Sequence, residues 1–259
     1  MITAASNSRI KRLVQLNQKS KLRRTEDVFL AEGVKMFLEA PREQLQEVYV
    51  SESFLEKCSC REHLEEVGYE VVSDSVFSKI SDTCTPQGVL CVLKQFHYNI
   101  EEMLRDKAPL FLLLENIQDP GNLGTMLRTG EGAGVSGIIM SRDTVDLYNP
   151  KVIRSTMGSI YRVPFYYADD FAAAVHQVQQ AGVSVYAAHL RGKNSYACQD
   201  YTKGTAFLIG NEGNGLREET AELADCYIRI PMEGKVESLN AAVASSILMY
   251  EAHRQRATL

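Results

Sequence analysis

Two periodicities organise this chain of 259 residues. Near the start, Ile10, Leu13, Val14 and Leu16 recur at the spacing of one helix face, with polar residues between them. From about residue 27 short apolar runs take over, at 28–31, 48–50, 69–72 and 89–93. Stretches of helical spacing, such as 34–40 and 54–67, separate them. Strand-like and helix-like segments in alternation predict a small α/β layer.

The texture changes at 96–109, where His97, Tyr98 and Asn99 lead into a charged stretch and then Pro109, as in a linker holding a short helix. Beyond it, Leu110-Phe111-Leu112-Leu113-Leu114 is uninterruptedly apolar, the pattern of a central strand covered on both faces. Further apolar runs follow at 135–140, 163–167, 183–188, 205–209 and 226–230, with helical patterns at about 150–158, 169–181, 216–223 and 239–254. The expected class is α/β, with two domains: residues 1–97, a linker at 98–109, and a mostly parallel sheet over 110–259.

Composition narrows the class of protein. No run approaches the roughly 20 apolar residues that cross a bilayer, and no apolar signal core follows the first charges, so a soluble cytoplasmic protein is expected. The six cysteines are scattered with no Cys-x-x-Cys, and none of the five histidines has a ligand-spaced partner, so neither a metal nor a disulfide framework is expected. The net charge of −5 conceals an asymmetry. Residues 1–25 hold Arg9, Lys11, Arg12, Lys19, Lys21, Arg23 and Arg24 and no acid, which leaves −12 on the rest of the chain. A basic N-terminal arm on an acidic body suits a polyanion such as RNA, met at one end; its alternative is a solvated helix face.

Two loops carry candidate chemistry. After the 110–114 run comes Glu115-Asn116-Ile117-Gln118-Asp119-Pro120-Gly121-Asn122-Leu123-Gly124-Thr125-Met126-Leu127-Arg128. Pro120-Gly121 signals a turn, Asn122 is read as the helix N-cap, and Arg128 falls in the first two turns, where an arginine can clamp a phosphate. Gly130, Gly132, Gly134 and Gly137 are no dinucleotide fingerprint, because they lie within and after the helix. After the 205–209 run comes Gly210-Asn211-Glu212-Gly213-Asn214-Gly215-Leu216, a turn whose glycines allow close backbone approach to a ligand. It is followed by Ile230-Pro231 and by Ser238-Leu239-Asn240. In doubly wound sheets ligands bind beyond the carboxyl ends of strands, where the 210–215 turn and the turn after Ile230 are expected.

These three motifs, in this order and over residues 110–259, resemble the SpoU, or TrmH-type, family of RNA 2′-O-ribose methyltransferases. The first 100 residues are similar to the substrate-binding domain found in the rRNA-modifying branch. The resemblance implies a trefoil knot at the C-terminal end of the sheet, S-adenosylmethionine as methyl donor, and a homodimer. It assigns donor contacts to Gly210, Ile230 and Leu239, with Asn211 and Gly215 on the same turn. Its catalytic positions fall on Asn122, Arg128, Glu212, Ser238 and Asn240, and Arg154 falls on a segment near the RNA or the dimer interface. With Arg9, Lys11, Arg12, Lys21, Arg23 and Arg24, Arg154 completes the expected RNA contacts.

The chemistry is consistent with that assignment. A ribose 2′-OH is a weak nucleophile, so its alignment and the stabilisation of developing oxyanion charge are what a protein must supply. Arg128 serves either as activating base or as electrostatic stabiliser, and a guanidinium with a pKa above about 12 favours the second. Glu212 is either a group beside the ribose or a brace for the turn. Ser238 is either a ribose contact, the N-cap of the last helix, or both. The expected substrate is large-subunit rRNA, with tRNA as alternative. Two other classes remain: an RNA-binding protein without activity, and a nucleotide-binding transferase, for which the chain lacks a P-loop.

Overall fold

A computed structural model describes residues 1–257. The chain forms two compact units, one built from Met1–Phe96 with Asp146–Tyr161, the other from His97–Val145 with the described residues from Arg162 onward. The first unit thus recruits a segment that lies deep within the C-terminal part of the sequence, beyond the continuous boundary expected at residue 97.

In the first unit, strands β1 (Val28–Glu32), β2 (Leu45–Ser51), β3 (Glu70–Val72) and β4 (Val89–Lys94) form a sheet in the order β1-β4-β2-β3. β4 runs antiparallel to both neighbours, while β2 and β3 are parallel. Helix Ser8–Gln18 starts where the Asn7 side chain accepts the Arg9 amide at 2.9 Å, and it buries Ile10, Leu13 and Leu16 against Leu30, Tyr49, Phe77 and Val92. Burial of each such side chain is worth about 1.5–3 kcal/mol, which outweighs anything its surface charges supply. The 54–67 stretch is two helices, Glu52–Lys57 and Arg61–Val67, parted at Cys58-Ser59-Cys60, and a further helix spans Asp74–Ile80.

The basic N-terminal segment is consequently no free arm. Arg23 is 3% exposed, donates to the Leu16 carbonyl at 2.6 Å and pairs with Asp146 at 2.5 Å. A guanidinium enclosed in this way cannot reach a phosphate, so Arg23 holds the recruited segment in place and is not an RNA contact. Arg12 bridges Glu26 and Glu47 at 2.7 Å each, and Arg9 pairs with Glu70 at 3.0 Å. Lys11, Lys19, Lys21 and Arg24 are exposed and make no ion pair among the described residues.

The recruited segment packs through aromatic groups. Tyr148 lies 4.8 Å from Phe29, ring to ring, and its hydroxyl accepts from the Phe96 amide at 2.6 Å, while the Tyr161 hydroxyl donates to the Met36 carbonyl at 2.9 Å. Arg154, on helix Pro150–Thr156, pairs with Asp82 at 3.1 Å.

The second unit is a seven-stranded sheet of β5 (Leu110–Leu114), β6 (Gly137–Ser141), β7 (Phe165–Ala168), β8 (Ser184–Ala188), β9 (Asn194–Ser195), β10 (Thr205–Ile209) and β11 (Cys226–Arg229). The order is β7-β6-β5-β10-β8-β11-β9 and every pairing is parallel. Every residue of β5 is fully buried, as its unbroken apolar run requires. The chain winds from β5 to β7 in one direction and later inserts β10 on the other side of β5. That reversal places the loops following β5 and β10 side by side at the sheet's carboxyl edge, the position where such sheets bind ligands.

Helix Pro120–Ala133 follows β5, buries Leu123, Met126 and Leu127, and ends at Gly134 in a left-handed conformation with φ 76°. Helix Ala241–Ala257 packs along it and buries Leu248, Met249 and Ala252. Near its end Arg256 donates to the carbonyls of Ala108, Pro109, Tyr201 and Lys203 at 2.6–3.2 Å. The helix expected over 216–223 is only Glu218–Ala221, because Arg217 is extended and caps it. Among the described residues no helix is long and apolar enough to cross a membrane.

Candidate active site

The loop after β5 is fixed by its own capping. Asp119, not Asn122, is the N-cap: its carboxylate accepts the Asn122 amide at 2.8 Å, Pro120 follows at the first helical position, and Asn122 stands in the first turn. The side chain of Asn122 is thereby released from capping. Its Nδ2 donates to Glu212 Oε1 at 3.0 Å and its Oδ1 accepts from Asn240 Nδ2 at 3.0 Å. Asn240 in turn caps the last helix, its Oδ1 accepting the amides of Ala242 at 2.9 Å and Val243 at 3.3 Å. The cap of that helix is therefore Asn240 and not Ser238, whose exposed hydroxyl makes no hydrogen bond among the described residues.

The loop after β10 folds back on itself. Asn211 and Gly215 exchange two backbone hydrogen bonds, at 3.0 and 2.9 Å, and the Asn211 side chain accepts the amides of Gly213 and Asn214 at 3.0 Å each. Gly215 takes φ +69°, and at Gly210 a Cβ would lie 2.2 Å from the Gly215 carbonyl carbon. The turn closes only because both positions lack a side chain. Asn211 Nδ2 donates to the Asn116 carbonyl at 2.8 Å, which ties this loop to the one after β5.

Glu212 completes the tie. Its carboxylate accepts from the Gln118 amide at 3.1 Å, the Asp119 amide at 2.9 Å and Asn122. Partial burial works against its charged form, but the hydrogen bonds from Asn122, Asp119 and Gln118 outweigh it and hold the carboxyl below its usual range. Glu212 thus stays ionised at neutral pH with its oxygens engaged, which favours the bracing role over that of a proton acceptor.

Beside this chain lies a cavity of about 400 Å³ lined by the 210–216 loop, Ile228, Ile230, Ser238, Leu239 and the 188–191 segment. Its size falls within the 300–1,000 Å³ of small-molecule sites, and it combines apolar walls with backbone donors and acceptors from the glycine turn. His189 is on its rim, where burial and the neighbouring Arg191 push its pKa down. Of the expected donor contacts, Gly210, Asn211, Gly215, Ile230 and Leu239 all line this cavity.

Arg128 stands apart from the hydrogen-bonded chain. It is exposed on helix Pro120–Ala133 and makes neither hydrogen bond nor ion pair among the described residues. An unpaired guanidinium on an otherwise well-braced element is free to take an anion. Arg9, Lys11, Arg12, Lys21, Arg24 and Arg154 belong to the first unit. Asp119 and the Gln118 amide, part of the brace, were legible only as the Asp-Pro signature of a capped helix start. No group of three or more His, Cys, Asp or Glu side chains suited to a metal occurs among the described residues.

Residues 109–250 match the model of the SpoU rRNA Methylase family, and residues 7–91 match the MRM3-like substrate binding domain. The 23S rRNA (guanosine(2553)-2′-O)-methyltransferase RlmP of Bacillus subtilis is 32% identical, covering 96% of this chain and 97% of its own length. The 23S rRNA (guanosine-2′-O-)-methyltransferase RlmB of Bordetella pertussis is 32% identical over 83% of this chain and 91% of its own. Among solved structures, the AdoMet-bound rRNA methyltransferase from Sinorhizobium meliloti superposes with a TM-score of 0.86 at 30% identity, covering 98% of this chain and 97% of that one. With its three motifs gathered at one edge of the sheet and a family model matching residues 109–250, this chain belongs to the SpoU rRNA methylase family.

Proposed function

We propose that this protein transfers the methyl group of S-adenosylmethionine to a ribose 2′-OH of large-subunit rRNA. One observation carries the reading: Glu212, Asn122 and Asn240, distant in sequence, form a single hydrogen-bonded chain that begins at Glu212 on the lining of the cavity and ends at Asn240, between the lining residues Leu239 and Ala241. The cavity's volume, its apolar walls and the backbone groups of its glycine turn fit the donor, which Gly210, Asn211, Gly215, Ile230 and Leu239 would hold. When bound, the donor supplies a methyl group already activated on a sulfonium.

The remaining chemistry falls to the side chains. Asn240 is rigid because both atoms of its amide group are engaged, and with Ser238 it orients the ribose. Arg128 grips the phosphate of the target nucleotide and stabilises negative charge developing on the 2′-oxygen. Glu212 keeps Asn122 and the 116–122 loop in register. Loss of such bracing is expensive, because misplacement of about 1 Å costs on the order of a hundredfold in rate. Lys11, Lys21 and Arg24, without an ion pair among the described residues, supply salt-sensitive contacts to RNA.

The same reading includes the finer expectations of the family. Val243 and Tyr250, 48% and 49% exposed on the outer face of helix Ala241–Ala257, support a homodimer formed through that face. The trefoil knot and a cytoplasmic location belong with it. The substrate-binding domain match over residues 7–91 favours rRNA over tRNA.

The test is transfer of labelled methyl from S-adenosylmethionine to total RNA from a strain lacking this gene. Incorporation at one large-subunit ribose, abolished by Arg128→Ala, supports the reading. Labelling of tRNA alone refutes the substrate, and base or phosphate methylation refutes the reaction.

A further inference from the structure

One buried carboxylate is used by nothing described so far. Glu115 is 2% exposed and follows directly on the fully buried strand β5. A charge in such surroundings is tolerated only when its partners are good. They are: Oε2 accepts the Arg217 amide at 2.9 Å, Oε1 accepts the Thr220 hydroxyl at 2.5 Å, and Arg217 Nε lies 3.7 Å from Oε1. The guanidinium of Arg217 is shared with Asp143 on its outer side.

The backbone of Glu115 matters as much as its side chain. Its amide donates to the Ile209 carbonyl at 2.9 Å, the last rung between β5 and β10. Ile209 enters the glycine loop and Arg217 leaves it, so both ends of the segment Gly210–Leu216 are tied to one residue. The two limbs are otherwise held differently. The entering limb is fixed through Asn211 and Glu212 to the 116–122 loop. Beyond the packing of Leu216 in the core, the returning limb, Gly213–Leu216, is held among the described residues by the Asn211 turn and by what holds Arg217. The Arg217 amide is held by the Glu115 carboxylate and its guanidinium also by Asp143, and the same Glu115 carboxylate receives Thr220 from helix Glu218–Ala221, whose N-cap is Arg217.

We infer that Glu115 is a positioning residue for the donor: by clamping Arg217 and Thr220 it sets the returning limb of the 210–216 loop at the separation that forms the cavity wall. The inference rests on the methyl-transfer reading, and it concerns a residue distinct from those assigned to the ribose or to the phosphate. It separates two roles within one loop. Glu212 and the entering limb set the catalytic geometry, and Glu115 with the returning limb sets the affinity for S-adenosylmethionine.

The experiment compares wild-type full-length protein with Glu115→Ala, Glu115→Gln and Thr220→Val. It measures S-adenosylmethionine binding by calorimetry, hydrogen exchange of the 213–217 amides without ligand, and the KM values for donor and RNA. Loss of hydrogen bonds to a buried charged group is expected to raise the donor Kd about tenfold in Glu115→Ala, with faster amide exchange and an RNA KM within about twofold of wild type. Glu115→Gln restores affinity, because its amide oxygen still accepts from Arg217 and its NH2 donates to Thr220. Thr220→Val, which removes one of the two bonds, shifts Kd in the same direction by less. A purely structural Glu115 would lower the melting temperature and leave donor Kd and loop exchange at wild-type values, and that result overturns the inference. Should Glu115→Ala not fold, wild-type affinity and exchange in Thr220→Val overturn it equally. Wild-type protein that binds no S-adenosylmethionine would instead overturn the methyl-transfer reading, and the exchange data would still decide whether Glu115 holds the loop.

Discussion

Gly210→Ala tests the geometry of the glycine loop most directly. The added Cβ would sit 2.2 Å from both the Gly215 carbonyl carbon and the Leu216 amide nitrogen, and 2.5 Å from the Gly215 oxygen, where ordinary contacts begin at 3.4 Å. All three neighbours are backbone, so no side-chain rotation relieves the overlap, and the limbs of the loop must part by about 1 Å. Parting strains the Asn211–Gly215 pair, whose two hydrogen bonds are worth about 1 kcal/mol each, on top of about 1–3 kcal/mol of overpacking. Because the same backbone forms the cavity wall, the loss falls mainly on the donor, with a Kd raised on the order of ten- to a hundredfold. Gly213→Ala is the internal control. Its Cβ would meet only Asn211 Oδ1, at 3.6 Å, and the donor Kd should stay within about twofold of wild type. Calorimetric titration with S-adenosylmethionine, accompanied by a thermal melt, reads both. Wild-type affinity in Gly210→Ala, or a greater loss in Gly213→Ala, would refute the argument that close backbone approach forms this site.

Arg128→Lys should leave the melting temperature unchanged, since Arg128 is exposed and unpaired among the described residues, yet retain only a small part of the turnover; near-wild-type kcat would sink its phosphate-gripping role. Glu212 has a carboxyl held below its usual value, so the stability it confers is complete above an ordinary carboxylate pKa of about 4.3 and is lost as pH falls through the lowered folded value. The gap in melting temperature between wild type and Glu212→Gln should accordingly be flat from about pH 5 to 8 and close below about pH 4; a gap that changes near neutrality contradicts the bracing assignment. Arg23→Met should destabilise the first unit by about 2–4 kcal/mol in denaturant titration, whereas Lys11→Ala with Lys21→Ala and Arg24→Ala should spare stability and weaken RNA binding with a shallower salt dependence. Equal RNA affinities in the triple variant and wild type would remove those residues from the interface.

The parts of the fold that one period dictates were legible. The unbroken apolar run of β5 and the one-face spacing of Ile10, Leu13 and Leu16 each predict the burial observed. The 210–215 turn at a strand's carboxyl end follows from a parallel sheet, whereas its meeting with the loop after β5 depends on β10 inserting beside β5, which no local pattern encodes. What the sequence withheld are choices among residues with equal local credentials. Asp119 and Asn122 are both good caps, as are Ser238 and Asn240, and only tertiary contacts decide which is freed for other work. Arg23 and Arg24 are neighbours in a basic run, yet one is enclosed and the other solvated, because Asp146 reaches one of them from more than a hundred residues away. Long-range partners of that kind leave no periodic trace.

The recruitment of Asp146–Tyr161 into the first unit bears on how the protein is made. During synthesis the N-terminal sheet emerges first, but Arg23 stays without Asp146 and Phe29 without Tyr148 until a further fifty or so residues have been translated. The unit that comes first off the ribosome therefore cannot finish folding first. A fragment ending near residue 97 is an unfinished object, and a fragment meant to isolate RNA binding will need the 146–161 segment supplied, in cis or as a peptide.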